Sequence, residues 1–295
     1  MRNKCLTITL LTVIAASLTA CSGNAQTTSS ASGKKTVTIG AVAYDETIAS
    51  SYLWKELLEE QGYTVKVSQL ELGSVYAGVA NGQLDMFTTG VPKIHADYYS
   101  RFGSKFTALN KWYSPVTQAV AVPTSTGLTS MDQLASHAAE FGSQIVGIES
   151  GSGLMRDLHN KAVKDYGLQK YTVIDGSTPA MLAALDKAMK EKKSVAVTLW
   201  QPHWAFSKYP LTLLKDPKNA FGGSDSFEVV ANKKFVGSNA KLAAEFKKFS
   251  MTADQLQSLE LMINQAGAGH EQEAAKKWIQ KNQSAVKEWT SAGTS

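Results

Sequence analysis

Chemistry in this chain concentrates in Trp200-Gln201-Pro202-His203-Trp204-Ala205-Phe206. Two indoles and an imidazole follow directly on the apolar run Val195 to Leu199. In an open α/β sheet the ends of strands are where ligand groups are presented. The same tryptophans would serve equally well as core or interface packing. Gly151-Ser152-Gly153, at the start of a helical pattern, suits an anion held by backbone amides, or a plain turn. No Gly-Lys-Ser/Thr follows it, so it is not a phosphate loop. Asp45 fits two roles, a contact to a cationic or hydroxyl-bearing ligand and the cap of a helix. Catalytic patterns do not emerge. There is no Gly-x-Ser-x-Gly elbow and no His-Glu-x-x-His zinc helix. His95, His137, His159 and His270 lack the close His/Asp/Glu spacing of a metal site and read as surface or structural residues. The sequence thus points to a binding protein rather than an enzyme, with no catalytic residue, metal or cofactor.

The elements that must position these residues alternate. Thr36 to Val42 reads as a strand, and Asp45-Glu46-Thr47 opens a helix carrying Ile48, Leu53, Leu57 and Leu58 as far as Gly62. Tyr63 to Val67 is a strand, Val75 to Asn81 a short helix, and Leu84 to Phe87 a strand running into Thr88-Thr89-Gly90. Asn110 to Pro115 reads as a loop, followed by a strand over Gln118 to Val122. Further strands are expected at Gln144 to Ile148, Thr172 to Ile174, Val195 to Leu199 and Phe227 to Ala231. Helices are expected around Ser130 to His137, from Gly153 to near Gly167, over Thr178 to Lys190 and from Asn239 to Trp289. Trp54, Trp278 and Trp289 sit in helical patterns and read as core anchors. The fold class is α/β. The middle segment, 123–226, is expected to form one lobe, and 35–122 with 227–295 the other, the chain crossing between them near Gln118 and Phe227.

Of the 295 residues, 43% are apolar and 19% charged, enough for a sizeable core. The formal charge of +5 is mild and forms no basic stripe, which argues against a nucleic-acid partner. Met1-Arg2-Asn3-Lys4 precedes an uncharged run from Cys5 to Ala20, too short for a permanent membrane span and suited to a signal peptide over 1–20. Leu18-Thr19-Ala20-Cys21 resembles the lipobox of bacterial lipoproteins, which implies cleavage before Cys21 and a lipid on its sulfur. Cys5 and Cys21 are the two cysteines, so the mature body would hold no thiol beyond the lipidated one. Ser22 to Gly33 reads as a flexible tether, the whole lipidated segment covering 21–34.

Trp200-Gln201-Pro202-His203 resembles the Trp-x-Pro-His element of substrate-binding proteins of ABC importers for glycine betaine, proline betaine, choline and related osmolytes. Other stretches match that family in order: Leu53 to Tyr63, Gly82-Gln83-Leu84-Asp85 with Pro92 and His95, Ile148 to Arg156, and Tyr209 to Pro217. The resemblance implies a two-lobed periplasmic-binding-protein-like fold of type II, each lobe a mixed, mostly parallel sheet flanked by helices. It implies a quaternary ammonium or zwitterionic ligand, ABC permease and ATPase partners, and a lipid anchor on the outer face of the bacterial membrane. Such a cation cannot donate a hydrogen bond and is best held by ring faces. By position, Trp200 is one cage wall, His203 a partner for the ligand's carboxylate and Tyr44 an aromatic from the first lobe, with the amides of Glu46 and Thr47 nearby. Ser152 and Gly151 belong to the second lobe's turn. Where the family generally has a tryptophan before Pro92, this chain has Val91; Trp112 or Tyr113 is the candidate replacement. The competing readings are a binding protein for a different small cargo and a ligand-sensing surface lipoprotein.

Overall fold

The computed structural model describes residues 36–291. The segments read as signal peptide and tether, Cys21 included, lie outside the described residues. One sheet runs through the protein in the order β2-β1-β3-β9-β4-β7-β5-β6, with β8 paired to β4. Its strands are β1 (Thr36–Ala41), β2 (Thr64–Gln69), β3 (Met86–Gly90), β4 (Phe106–Pro123), β5 (Gln144–Val146), β6 (Thr172–Ile174), β7 (Val197–Gln201), β8 (Leu211–Leu213) and β9 (Asp225–Asn232). Pairing is parallel toward both ends, β2-β1-β3 on one side and β7-β5-β6 on the other. Across the middle it is antiparallel, where β4 and β9 lie side by side. The chain is therefore α/β, with two parallel half-sheets joined through β4.

β4 carries the largest departure from the sequence reading. Asn110 to Pro115 is not a loop; it belongs to an eighteen-residue strand whose first part pairs with β9 and whose last part pairs with β7. The β9 register shifts between Ala108 and Lys111, Lys111 and Tyr113, and Tyr113 and Val116. Each irregularity breaks the two-residue alternation that marks a strand in sequence, and Pro115 falls in the last, where a missing N–H is tolerated.

The helices that cover the sheet are α1 (Asp45–Glu60), α2 (Leu72–Asn81), α3 (Ala96–Phe102), α4 (Gly153–Asp157), α5 (Val163–Asp165), α6 (Thr178–Glu191), α7 (Ala205–Lys208), α8 (Lys233–Ser238) and a further run toward the C-terminus. α1 (Asp45–Glu60) starts with two acids in its first turn, favourable beside the unpaired amides of a helix N-terminus, and stops before Gly62 at φ +87°. Its buried Trp54 packs on Phe246 at 4.1 Å and Phe249 at 5.3 Å between ring centroids. Phe249 in turn meets Trp289 at 5.0 Å, and Trp278 stacks on Trp289 at 6.4 Å. Trp54, Trp278 and Trp289 are thus core anchors. The helical stretch after Asn239 is four helices rather than one: α9 (Ala240–Lys248), α10 (Ala253–Ala266), α11 (Glu271–Lys281) and α12 (Gln283–Thr290). Thr252 opens α10 with a capping box closed by Gln255, and Gly267 and Gly269 make the turn before α11.

The turn that follows β3 is set by a close approach. A Cβ on Gly90 would stand 2.4 Å from Val230 Cγ2 and 2.6 Å from the Tyr99 hydroxyl. Val230 is fixed in β9, and Tyr99 donates to the Glu228 carboxylate at 3.2 Å. Gly90→Ala should therefore destabilise the protein by about 1–3 kcal/mol, read as a lower urea midpoint at unchanged m-value; an unaltered midpoint would show that β3 and β9 separate without cost.

Candidate functional site

Elements from both half-sheets converge on one small, open-mouthed cavity. Tyr44 enters it from the N-cap of α1 and Glu46 from that helix's first turn. The turn after β3 contributes Val91, Ile94 and His95. From the far half come Ile148, the segment Ser152 to Leu154 at the start of α4 (Gly153–Asp157), and Trp200 near the end of β7. The central strands supply Val116 and Gln118 from β4 and Phe227 from β9. Strand ends and helix starts meet here, as the α/β pattern leads one to expect.

Three rings and an imidazole face the space: Tyr44, Trp200, Phe227 and His95. Tyr44 and Trp200 are 5.8 Å apart at 61°, an edge-to-face pair. The Trp200 indole is fixed at its polar end, where Nε1 donates to Glu46 Oε2 at 3.0 Å. Gly153 lets α4 approach the opposite wall, since a Cβ there would sit 2.4 Å from the Ile94 carbonyl oxygen. Arg156 completes that contact, donating to Asp97 at 2.9 Å and to the Ile94 carbonyl at 3.0 Å.

Behind Trp200 a second set of bonds joins the halves. The Trp204 indole donates to Asp45 Oδ1 at 2.6 Å, and His203 Nε2 lies 3.2 Å from Asp45 Oδ2. The backbone amide of Ala205 donates to His203 Nδ1 at 3.0 Å, which places the imidazole proton on Nε2, facing Asp45. Asp45 lies at the first helical position rather than capping the helix; the cap residue is Tyr44. Glu260, on α10, accepts the Trp204 amide at 2.8 Å.

Electrostatics follow from burial. Glu46 is pushed up to about 8, first by desolvation and then by Asp45, against the opposing hydrogen bonds from its own amide, Trp200 and Thr47. Glu260 is raised well above the usual carboxylate range by burial, with Asp45 and Glu46 adding to it. His95 is lowered to about 3 by burial and by Arg156, so it is a neutral acceptor or donor beside Tyr76, 2.9 Å away. Burial, with Glu149 and Glu46 behind it, raises Tyr44 well above the ordinary phenol value. None of the lining residues is a lysine or arginine.

Tyr44, Glu46, Val91, Ser152 and Trp200 thus stand together at the cavity. His203 is wholly buried on Asp45 and neither residue lines the cavity. The Thr47 amide donates to the Tyr44 carbonyl at 3.1 Å, and its hydroxyl bonds that of Thr89. Gly151 is exposed, its carbonyl receiving the Tyr98 hydroxyl at 3.4 Å. Trp112 is stacked against Phe227 at 5.1 Å and Phe249 at 4.9 Å, with Nε1 donating to the Thr88 carbonyl at 2.6 Å. Tyr113 packs on the same Phe227 at 6.0 Å without lining the cavity. Phe227, Gln118 and His95 were not among the sequence candidates for the site. A glutamine opening the otherwise apolar strand Gln118 to Val122 was the one available signal.

Comparison with known proteins places this geometry. The family of substrate binding domains of ABC-type glycine betaine transport systems matches residues 35–281. The glycine betaine/carnitine transport binding protein GbuC of Listeria monocytogenes serotype 1/2a (strain 10403S) is 38% identical over 148 residues, 50% of this chain and 48% of that protein. The chain thus aligns with about half the length of that relative. Lactococcal OpuAC, in its closed-liganded conformation complexed with glycine betaine, superposes with a TM-score of 0.79 at 28% identity, covering 87% of this chain and 99% of that one. ProX from Borrelia burgdorferi gives 0.79 and 28%, over 86% and 96%.

Glu46 makes the site's protonation testable. The folded protein keeps this proton from about 4.5, where an ordinary glutamate loses it, to about 8. The stability so conferred is complete below the unfolded value and is lost as pH rises through the folded one. In Glu46→Gln the amide oxygen still accepts from Trp200. Between about pH 5 and about pH 8.5 the parent should lose roughly 5–10 °C of melting temperature relative to Glu46→Gln. Melting curves that shift in parallel would show that Glu46 is ionised throughout.

Proposed function

The chain belongs to the family of substrate-binding domains of ABC-type glycine betaine transport systems, and from that premise we propose that it captures a small quaternary ammonium compound in the cavity between its half-sheets and delivers it to an ABC permease. Glycine betaine, proline betaine, carnitine and choline are the candidate cargoes. The observation that carries this reading is the lining: the faces and edges of Tyr44, Trp200 and Phe227 around a space that holds no lysine or arginine. An ammonium wrapped in methyl groups offers no N–H, so a carboxylate–donor network gains it little. Ring faces in a desolvated pocket contribute about 0.5–2 kcal/mol each.

In this reading residues 35–122 with 227–295 form one lobe and 123–226 the other. β4 and β9, the strands shared between the half-sheets, are the crossings about which the lobes close, and the contact of Gly153 and Arg156 with Ile94 and Asp97 belongs to the closed form. Cleavage before Cys21 and lipidation of its sulfur would hold the protein on the outer face of the cytoplasmic membrane, where an importer's binding protein works. Binding and release, without catalysis, is the whole of the activity.

Calorimetric titration of the body after Cys21 tests this, with those four compounds and with proline, a sugar and an oligopeptide as controls. Micromolar binding of a quaternary ammonium compound is expected, and Trp200→Ala should weaken it by about 1–3 kcal/mol while the protein stays folded. Equal affinity in parent and variant would remove Trp200 from the cage. Silence from every ammonium compound would leave the fold and discard the cargo.

A further inference from the structure

Two sets of contacts join the halves, and they differ in how much water can reach them. Arg156 donates to Asp97, whose side chain is 76% exposed, and a pair so open to solvent contributes little. Behind Trp200, by contrast, three carboxyl groups of the first half take four donors from the segment Trp200 to Trp204. Glu46 accepts from the Trp200 indole, Asp45 from the Trp204 indole and from His203 Nε2, and Glu260 from the Trp204 amide. His203 and Trp204 are buried. Asp45 keeps 16% of its side chain open, onto a second groove lined by α6 and the turn before α11 rather than onto the aromatic-lined cavity. Both ring nitrogens of His203 are committed, Nδ1 to the Ala205 amide and Nε2 to Asp45.

Asp45 is therefore placed to act on the halves and not on a cargo. With the halves apart, water satisfies its oxygens and the ring N–H groups of His203 and Trp204 alike. With them together, those N–H groups are sealed from water and Asp45 is their acceptor. A buried donor stripped of its acceptor carries the full cost of its desolvation, so losing Asp45 penalises the joined state alone. We propose that Asp45 is the positioning residue of closure: by taking the two ring N–H groups it latches the halves over the cavity and raises the affinity for every cargo by one common factor. This rests on the reading of the cavity as a site of capture by closure. The factor is common because an apparent dissociation constant is the intrinsic one divided by the fraction of protein in the competent state. A residue that touched the ligand would instead separate cargoes by their chemistry.

Three probes of one cationic head test it by calorimetry and stopped-flow dissociation: glycine betaine, with a carboxylate; choline, with a hydroxyl; and tetramethylammonium, with no oxygen. Asp45→Ala should weaken all three by the same factor, roughly 10- to 100-fold, expressed as faster dissociation. Trp204→Phe, which keeps a ring and deletes one of the two donors, should cost a smaller common factor of roughly 3- to 10-fold. Because an N–H without an acceptor is worse than none, the double variant should bind no more weakly than Asp45→Ala alone. The empty variants should melt within about 5 °C of the parent. A loss confined to glycine betaine would mean that Asp45 and His203 serve the ligand's carboxylate, and would overturn the proposal. Unchanged affinities, or single losses that simply add in the double variant, would overturn it while leaving the cargo assignment intact. Empty variants that melt far below the parent would make the contact part of the fold rather than of closure, which also overturns it. A parent protein that binds none of the three would fail at the cargo assignment, and this proposal would fall with it.

Discussion

Two adjacent carboxyl groups in the first turn of α1 hold the site together. Asp45 receives the ring N–H groups of His203 and Trp204, and Glu46 receives that of Trp200. A single helical turn from one half of the molecule thus fixes three rings of the other, Trp200 near the end of β7 and His203 and Trp204 just after it. Aromatic rings packed by area alone tolerate small rotations, whereas an indole bonded at Nε1 has its plane set. The contacts of Trp200 with Tyr44 and with His203, the latter at 4.9 Å, inherit their geometry from those bonds.

Placing acids there is favourable to the helix and unfavourable to the cavity. The N-terminal end of α1 stabilises nearby negative charge, yet Asp45 raises the proton affinity of Glu46, and both raise that of Glu260, beside a cavity lined by no lysine or arginine. Burial resolves the conflict by keeping Glu46 and Glu260 protonated near neutrality. A neutral carboxyl still accepts the Trp200 N–H, so the wall stays fixed while the cavity carries little net charge. The ring faces then dominate the field that an ammonium group would meet.

Much of this was legible in the sequence, and the limits have physical causes. β-Branched alternation and helix stops gave the α/β order, and the helical spacing of Trp54, Trp278 and Trp289 gave the core, because those signals are local. Tyr44, Glu46, Val91, Ser152 and Trp200 were identifiable because they lie at strand ends and helix starts. The contact of His203 with Asp45 is not readable from sequence, because the two stand 158 positions apart. Phe227 and Gln118 were overlooked for the complementary reason: in mid-strand they resemble any other sheet residue, and only the β4–β9 and β4–β7 registers bring them to the cavity. The bulges of β4 hid half of a strand and with it the environment of Trp112.

Trp112 also bears on Val91, where the resemblance implies a tryptophan. Its ring does not swing in as a substitute, for its N–H is tied to the Thr88 carbonyl and its faces are covered by Phe227 and Phe249. It lies instead behind Phe227, stacked at 26°, and Phe227 is the ring that lines the cavity. In the proposed cage the wall is therefore borne by β9, one of the two strands shared between the half-sheets, rather than by the turn after β3. If the halves close as proposed, a ring on that strand keeps its place and only Tyr44 and Trp200 have to be brought into register. The bonds that hold that register are the ones Asp45 and Glu46 make with Trp200, His203 and Trp204, so in the proposed reading capture and closure depend on the same two carboxyl groups.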